Sequence, residues 1–503
     1  MRSKKLLLNI GTSLMFQVIV MISGLIVPRL IIGSFGPEVH GLVVSITRFL
    51  AYIGFLELGV GTIMRASLYK PLAQRDTEAV SEILASTQFF FRRVAYVFVI
   101  YTLVLAAVFP LVGASALATL DVFTLVIVMS IGTFFHYYLG FSSRTLLYAD
   151  QRNYVVFVLD SGANILQTAV IILAVLLGAG IHVVQFLPLL ISVVISFVIY
   201  FYVKRRYQVD SRTRGAGFRL KNDWATGKWI HASRFVIEMT PVTVLTLLTN
   251  FVEVSVYIVH NLVIVSMRTL MGTVTQGFES ALGNMIAKEE YELLNQNFNI
   301  YELMVHLMAS VLLTGASFLI PSFIALYTQS ISDIDYQRPL FAQLLIASVW
   351  LYCVRLPYRS VIVASGAFTE LKNSMRIEVL LNVVVSVVCV YLFGIVGVAF
   401  GAITAVGFQL ISFLRYLAKH ILQRQASHII KRCLVSLFVV ILILTTLHQL
   451  PLFKVYTYVD WIKLAIVSVV ISTSIAVLAN LIFYTTEMQA IYTRIKTVVA
   501  KRT

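Results

Sequence analysis

The 503-residue sequence has little charge for its length, few cysteines and few prolines. Only 12% of its residues are charged, whereas 59% are hydrophobic, and its mean hydropathy is +0.89. Soluble globular domains carry about 25% charged residues, so this shortage excludes that class. The composition instead predicts a protein that crosses a membrane many times.

Motifs of catalysis and metal binding are equally scarce. Cys353, Cys389 and Cys433 lie in or beside apolar segments, without the spacing of a disulfide framework or a zinc site. The sequence has no Walker loop and no nucleophile motif. Asp333 and Asp335 form a DxD pattern in a short loop, which we interpret as solvated acids. We therefore predict that the protein is not an enzyme and has no metal site and no cofactor. Coupling of its function to a cation, sodium or proton, stays open.

The distribution of Lys and Arg predicts the orientation of the chain. The 39 Lys and Arg exceed the 23 Asp and Glu and give a net charge of +16. They do not form the continuous stripe that a nucleic acid requires, so we expect no nucleic-acid partner. Roughly 31 of the 39 fall in alternate loops, and the positive-inside rule makes those loops and both termini cytoplasmic.

Apolar segments of about 20 residues recur along the chain and predict about fourteen transmembrane helices in an all-α protein. The first two are expected at 6–32 and 39–66, and the seventh and eighth at 230–252 and 256–284. The predicted domains are an N-terminal lobe of six helices (1–203), a basic cytoplasmic linker (204–229), a second six-helix lobe (230–418), and two further helices with a cytoplasmic tail (419–503).

An internal repeat is visible when the sequence is displaced by about 220 positions. His40 and Arg48 then superpose on His260 and Arg268 without a gap. The match predicts one intramembrane arginine in each half of the protein. A charge near the centre of a membrane helix costs roughly 2.5 to 3.5 kcal/mol on insertion scales, so each arginine is expected to face a wet cavity or an ionic partner.

Polar residues on three of the predicted spans define one expected binding surface. On the eighth span four of them share one helical face: Asn261, Arg268, Thr275 and Glu279. The first span contributes Gln17 and, after a proline at position 28 that is expected to kink the helix, Arg29. The tenth span adds Arg355. Guanidinium groups present forked donors that match phosphate oxygens, so a surface rich in arginine predicts a diphosphate ligand.

A coupling cation would need a second set of residues. Carboxylate, amide and hydroxyl oxygens suit a hard cation, and the candidates are Glu238, Glu378, Asn382 and Thr404. Glu238 also follows Arg234 by four residues, so a local ion pair is the competing interpretation for this carboxylate.

Five segments together resemble the polysaccharide (Wzx-type) flippase branch of the multidrug/oligosaccharidyl-lipid/polysaccharide (MOP) exporter superfamily. They are FGPEVHGL after the first span, FLELGVGTIMR at the end of the second, LLYADQRNYVV after the fourth, VIVASGAF after the tenth, and FGIVGVAFGAIT across the eleventh and twelfth. Each motif is weak alone, but the resemblance covers nearly the whole chain. The resemblance implies two six-helix lobes around a central cavity, followed by two extra C-terminal helices.

The same resemblance implies a function. Flippases of this branch move undecaprenyl-diphosphate-linked oligosaccharide from the cytoplasmic to the outer leaflet of a bacterial cytoplasmic membrane, by alternating access. The expected partners are that lipid-linked oligosaccharide and membrane lipids, with a polysaccharide polymerase and glycosyltransferases as candidate protein partners. In the related lipid II flippases, cavity arginines lie on the first, second and eighth helices, and these match Arg29, Arg48 and Arg268 by span and depth.

Two other functions stay open at this point. A multidrug exporter of the same superfamily would need acidic groups in its lumen to bind cationic drugs, whereas the first predicted span has none. A membrane polymerase or glycosyltransferase acting on the same lipid would need a long outer loop to carry its catalytic residues, and this chain offers only short ones.

Overall fold

The computed structural model describes residues 2–112, 117–207, 224–329, 331, 334–422, 426–450 and 454–500, and all regular secondary structure in these ranges is helical. The α-helices are α1 (Arg2–Ala51), α2 (Val60–Gln74), α3 (Thr77–Val108), α4 (Thr119–Phe135), α5 (Phe141–Ala149), α6 (Asn153–Leu176), α7 (Ile181–Tyr207), α8 (Trp224–Leu248), α9 (Phe251–Ala287), α10 (Tyr291–Tyr327), α11 (Pro339–Ser365), α12 (Phe368–Phe393), α13 (Val396–His420), α14 (Ala426–Gln449), α15 (Tyr458–Phe483) and α16 (Thr485–Ala500). Short 3-10 turns follow α1 (Tyr52–Leu56) and α3 (Phe109–Leu111), and a π-helical turn (His136–Gly140) joins α4 to α5.

Twelve helical stretches in the described ranges are long and apolar enough to cross a membrane. One of them, Leu8–Leu56, covers most of the spans predicted at 6–32 and 39–66. α8 covers most of the span predicted at 230–252. The prediction of an all-α, multi-pass membrane protein with about fourteen spans is therefore confirmed.

The first and second predicted spans are separated by a break in α1. Pro28 lies inside α1 without a break, whereas Gly36 has φ 83° and ψ 164°, far from helical values. Glycine adopts a positive φ without steric cost, and the ring of Pro37 disfavours a helical conformation in the residue before it. Gly36 lies between the spans predicted at 6–32 and 39–66, so the chain turns there into its second membrane pass, and the kink expected at Pro28 stays a prediction.

The second span is also less regular than its apolar sequence predicts. A single helix was expected from 39 to 66, but the α-helix ends at Ala51 and resumes at Val60 after the 3-10 turn. Gly59, with φ 86°, begins the second piece. A left-handed residue cannot continue an α-helix, so glycine at this position sets the break.

The chain divides into two compact units, Met1–Val256 (unit 1) and Tyr257–Thr503 (unit 2), with the boundary inside α9. Unit 1 contains α1 to α8 and the first residues of α9. Unit 2 contains the rest of α9 and α10 to α16. Residues 208–223 of the predicted basic linker lie outside the described residues. The predicted domain limits at 203, 229 and 418 stay predictions.

In unit 1, the second half of α1 packs closely on α8 and on the start of α9. A methyl group at Gly41 would overlap the carbonyl of Phe251, so only glycine permits this approach. Two buried polar pairs cross the contact: His40 Nδ1 and Ser255 Oγ are 2.8 Å apart, and Ser45 Oγ and Thr246 Oγ1 are 2.7 Å apart. Hydrogen bonding of these groups removes the penalty of burying them.

The LLYADQRNYVV motif of unit 1 forms a connection between α5 and α6 that ties several helices together. Asp150 accepts a hydrogen bond from the Tyr207 hydroxyl at 2.5 Å and pairs with Arg152 at 2.7 Å. Lys5 of α1 lies 3.6 Å from the same carboxylate. Asp150 therefore links α1, α6 and α7 at one end of the unit.

In unit 2, α12 and α13 form a hairpin of unusually close helices. A methyl group at Gly397 would overlap the backbone of Cys389 and Val390, and one at Gly401 would overlap Ser386. These glycines therefore allow the two helices to touch backbone to backbone.

A buried ionic cluster fastens the C-terminal helices of unit 2 to its core. Arg432 of α14 lies 2.9 Å from Glu302 of α10, and donates to the carbonyl of Asn299 at 2.8 Å. Glu302 also accepts a hydrogen bond from Tyr358 of α11, and Glu487 of α16 lies 3.6 Å from Arg432. Because both members of the Arg432–Glu302 pair are buried, each needs the other to offset its desolvation.

Candidate substrate-binding residues

The two arginines matched by the internal repeat occupy similar environments. His40 and His260 are 2% and 1% exposed, and Arg48 and Arg268, eight residues further on, are half-buried. Within the described part of the chain, neither arginine is paired with a carboxylate. The Nε of Arg268 is buried without a hydrogen-bond partner there. A guanidinium on a membrane helix with no internal counter-charge is a candidate for binding an anion.

Arg268 shares an aromatic neighbour with a second arginine of unit 2. Its guanidinium carbon lies 5.5 Å from the centre of the Tyr352 ring, and that of Arg355 lies 5.5 Å from the same centre. Arg268 belongs to α9, whereas Tyr352 and Arg355 belong to α11. The attraction of both cations to one ring therefore places α9 and α11 side by side with their charged faces together. Sequence spacing could not identify the contact between Tyr352 and Arg268, because the two residues belong to different helices.

Arg355 has an internal partner, which distinguishes it from Arg268. It donates to Glu378 at 2.7 Å and to Gln409, and all three side chains are buried. The structure therefore modifies the role expected for Arg355, because its charge is already matched by a carboxylate of α12. Gln409 was missed by sequence reasoning, since nothing in its local spacing distinguishes it from a packing residue.

The four candidates for a coupling cation do not form one site. Glu378 is occupied by the guanidinium of Arg355 in this conformation, although Asn382, one turn further along α12, is buried with an amide oxygen that bonds no described group. Thr404 is exposed and donates to the carbonyl of Phe400. Glu238 belongs to unit 1, where it accepts from Arg234 at 2.8 Å. The local ion pair expected for Glu238 is present, and cation coupling stays a prediction.

Of the remaining predicted residues of α9, Glu279 contacts polar side chains of α11. Glu279 accepts a hydrogen bond from Ser360 of α11 at 3.3 Å and lies 4.0 Å from Arg359. Thr275 is buried and donates to a carbonyl of its own helix, and Asn261 is half-buried. The shared face inferred from the sequence thus contacts α11 at Arg268 and again at Glu279.

The two residues predicted on the first span lie in unit 1. Arg29 is half-buried on α1, and Gln17 is exposed three turns earlier. The DxD pattern is only half described: Asp333 lies outside the described residues, whereas Asp335 is exposed and lies 4.0 Å from Arg338. Among the described residues, no group of three or more His, Cys, Asp or Glu is arranged to hold a metal ion.

Comparison with known proteins gives matches at the level of structure only. No protein-family model matches the sequence, and no curated protein matches it significantly. The lipid II flippase MurJ, in an inward closed conformation, superposes with a TM-score of 0.70 over 95% of this chain and 99% of that chain, at 16% identity. An inward-facing MATE multidrug-resistance transporter of the MOP superfamily gives 0.60, over 79% of this chain and 95% of that one, at 15% identity.

An outward-facing MATE transporter of the MOP superfamily also matches, with a TM-score of 0.55 over 85% of this chain and 96% of that chain, at 15% identity. Identities this low report on the fold and not on the ligand. The flippase match spans nearly the full length of both chains. The chain therefore shares its fold with these flippase and transporter structures.

Proposed function

We propose that this protein is a flippase that moves undecaprenyl-diphosphate-linked oligosaccharide from the cytoplasmic to the outer leaflet of a bacterial cytoplasmic membrane. The observation that carries the proposal is that Arg48 and Arg268 are half-buried without an ionic partner in the described part of the chain. Each is half-buried on a membrane-spanning helix, and neither has a carboxylate partner among the described residues. A diphosphate supplies the missing negative charge and matches the forked guanidinium donors.

The multidrug-exporter alternative fits these residues less well. Arg48 and Arg268 each carry a positive charge, uncompensated within the described ranges, that would repel a cationic drug, and two deeply buried carboxylates are already paired, Glu378 with Arg355 and Glu302 with Arg432. Like charges in a membrane interior repel strongly because the dielectric constant is low. The arrangement supports an anionic headgroup as the ligand.

The membrane potential provides a driving force for this direction of transport. An inside-negative potential of about 100 mV favours the outward movement of about two negative charges by roughly 5 kcal/mol. The empty cationic site is drawn back inward by the same field. Coupling to sodium or protons would add to this force, and the proposal does not require it.

The experiment measures on which leaflet the lipid-linked oligosaccharide accumulates in cells depleted of the protein. Rescue is attempted with the wild type, with Arg48→Gln plus Arg268→Gln, and with Arg206→Gln plus Arg415→Gln. The last two arginines are exposed and control for loss of charge. Only the wild type and the control are expected to clear the inner leaflet. If the unit crosses in depleted cells but stays unpolymerised outside, the protein is an enzyme of the pathway and the flippase proposal is wrong.

A further inference from the structure

An open pocket of about 380 Å³ lies wholly within unit 1 and contains none of the residues predicted from the sequence. One wall is the end of the 3-10 turn and the start of α2, with Glu57 and Arg65. The other wall is the π-helical turn and α5, with His136, Arg144 and Tyr148. The break at Gly59 and the π-helical turn create the pocket, and π-helical turns occur frequently at functional sites.

The charges around this pocket balance. Arg144 makes a two-pronged pair with Asp160 of α6, at 2.6 and 2.9 Å. Glu57 accepts a hydrogen bond from Tyr137 through one oxygen, at 2.7 Å. The pocket walls therefore combine two guanidinium groups with two nearby carboxylates. A diphosphate is a poor match, because Glu57 would repel it.

Several hydrogen-bonding groups in the pocket remain available. Arg65 uses its Nε to donate to the carbonyl of Gly61, and its two terminal nitrogens bond no other described residue. The second oxygen of Glu57 and both ring nitrogens of His136 likewise make no hydrogen bond within the described part of the chain. The pocket therefore offers both unused donors and unused acceptors, and they lie beside the aromatic rings of Phe141 and Tyr148.

This combination identifies a chemical class of ligand. A sugar hydroxyl both donates and accepts, so an uncharged sugar satisfies Arg65 and Glu57 together. Aromatic ring faces carry partial negative charge and attract the C–H edges of a sugar ring. The volume is at the low end of the range of about 300 to 1,000 Å³ for ligand pockets, which suits a short segment of glycan.

We infer that this pocket is a glycan subsite, which binds uncharged sugars of the transported headgroup. The inference rests on the proposed flippase function and deepens it. The subsite gives the protein selectivity for the sugar portion, because a carrier lipid with a single sugar does not engage Glu57 and Arg65.

The test compares two substrates in proteoliposomes containing the full chain. One is undecaprenyl diphosphate bearing the complete repeat unit of the host, and the other bears only its first sugar. Glu57→Gln and Arg65→Gln are compared with Glu78→Gln and Arg206→Gln, which make the same changes at exposed positions. Glu57→Gln preserves an acceptor for Tyr137, so the helix contact remains.

Each pocket variant is expected to slow flipping of the complete unit by about tenfold or more, because one charged hydrogen bond to the ligand is lost. The same variants are expected to flip the single-sugar lipid within about twofold of the wild-type rate. Normal flipping of the single-sugar lipid also shows that the variant is folded. Equal slowing of both substrates, or of neither, overturns the glycan subsite. Failure of the wild type to flip either lipid overturns the proposed function itself, so the two failures are distinguishable.

Discussion

The two units of the protein use charged residues in different ways. In unit 2 the deeply buried ionic groups satisfy one another, as Arg432 does with Glu302 and Arg355 with Glu378. In unit 1, Glu57 and Arg65 line an open pocket and keep unused donors and acceptors. A closed ion pair holds helices together, whereas a group with unused bonds facing open space is available to a ligand. We therefore interpret a charged side chain that is buried with an ionic partner as structural, and one that keeps unused hydrogen-bonding capacity as functional.

The largest effect on stability is expected from Arg432→Ala. Its removal leaves Glu302 buried with an uncompensated charge, so the free energy of unfolding should fall by about 3 to 5 kcal/mol. Unfolding by detergent titration measures this loss, with Lys431→Ala, an exposed neighbour, as the control. Adding Glu302→Gln to the variant should restore much of the stability. A double variant as unstable as the single one would show that packing, and not charge, is lost.

An intermediate effect is expected from Arg144→Gln in unit 1. The Arg144–Asp160 pair is equally well formed, but its side chains are 16% and 21% exposed, against 6% and 2% for Arg432 and Glu302. Water can partly solvate the remaining Asp160, so a loss of about 1 to 2 kcal/mol is expected in the same titration. A loss as large as that of Arg432→Ala would remove the contrast between the two units.

The smallest effect is expected from Glu238→Gln. This carboxylate is 50% exposed and its ion pair with Arg234 spans one helical turn. Such pairs contribute about 0.5 kcal/mol or less, so stability should barely change. Flipping rates measured with and without a sodium gradient then test the coupling role separately. Loss of sodium dependence at unchanged stability would assign Glu238 a role in transport that its ion pair does not reveal.

Sequence periodicity could predict much of this architecture. The apolar spans, the matched His and Arg of the repeat, and the polar face of α9 all follow from local patterns, and the close approach at Gly397 follows from a glycine-rich turn. What could not be predicted depends on irregular backbone or on contacts between distant helices. The break at Gly59 was not predicted, because the apolar sequence continues through it.

Contacts between distant helices explain the other omissions. The pocket of unit 1 exists because a 3-10 turn and a π-helical turn bring Glu57 close to His136 and Arg144, residues about 80 positions further along the chain. Gln409 becomes significant only through Arg355. A sequence shows which residues share a face of one helix, but it does not show which residues of another helix face them.

The most direct test of the central claim compares Arg268→Gln with Arg355→Gln, because both arginines contact the same Tyr352 ring and only Arg355 has a carboxylate partner. Unfolding free energy and flipping rate are measured on the same purified variants. The account predicts that Arg268→Gln keeps its stability within about 0.5 kcal/mol and slows flipping more than about tenfold, whereas Arg355→Gln loses about 3 kcal/mol of stability. A destabilised Arg268→Gln that still flips lipid, beside a stable Arg355→Gln that does not, would contradict it.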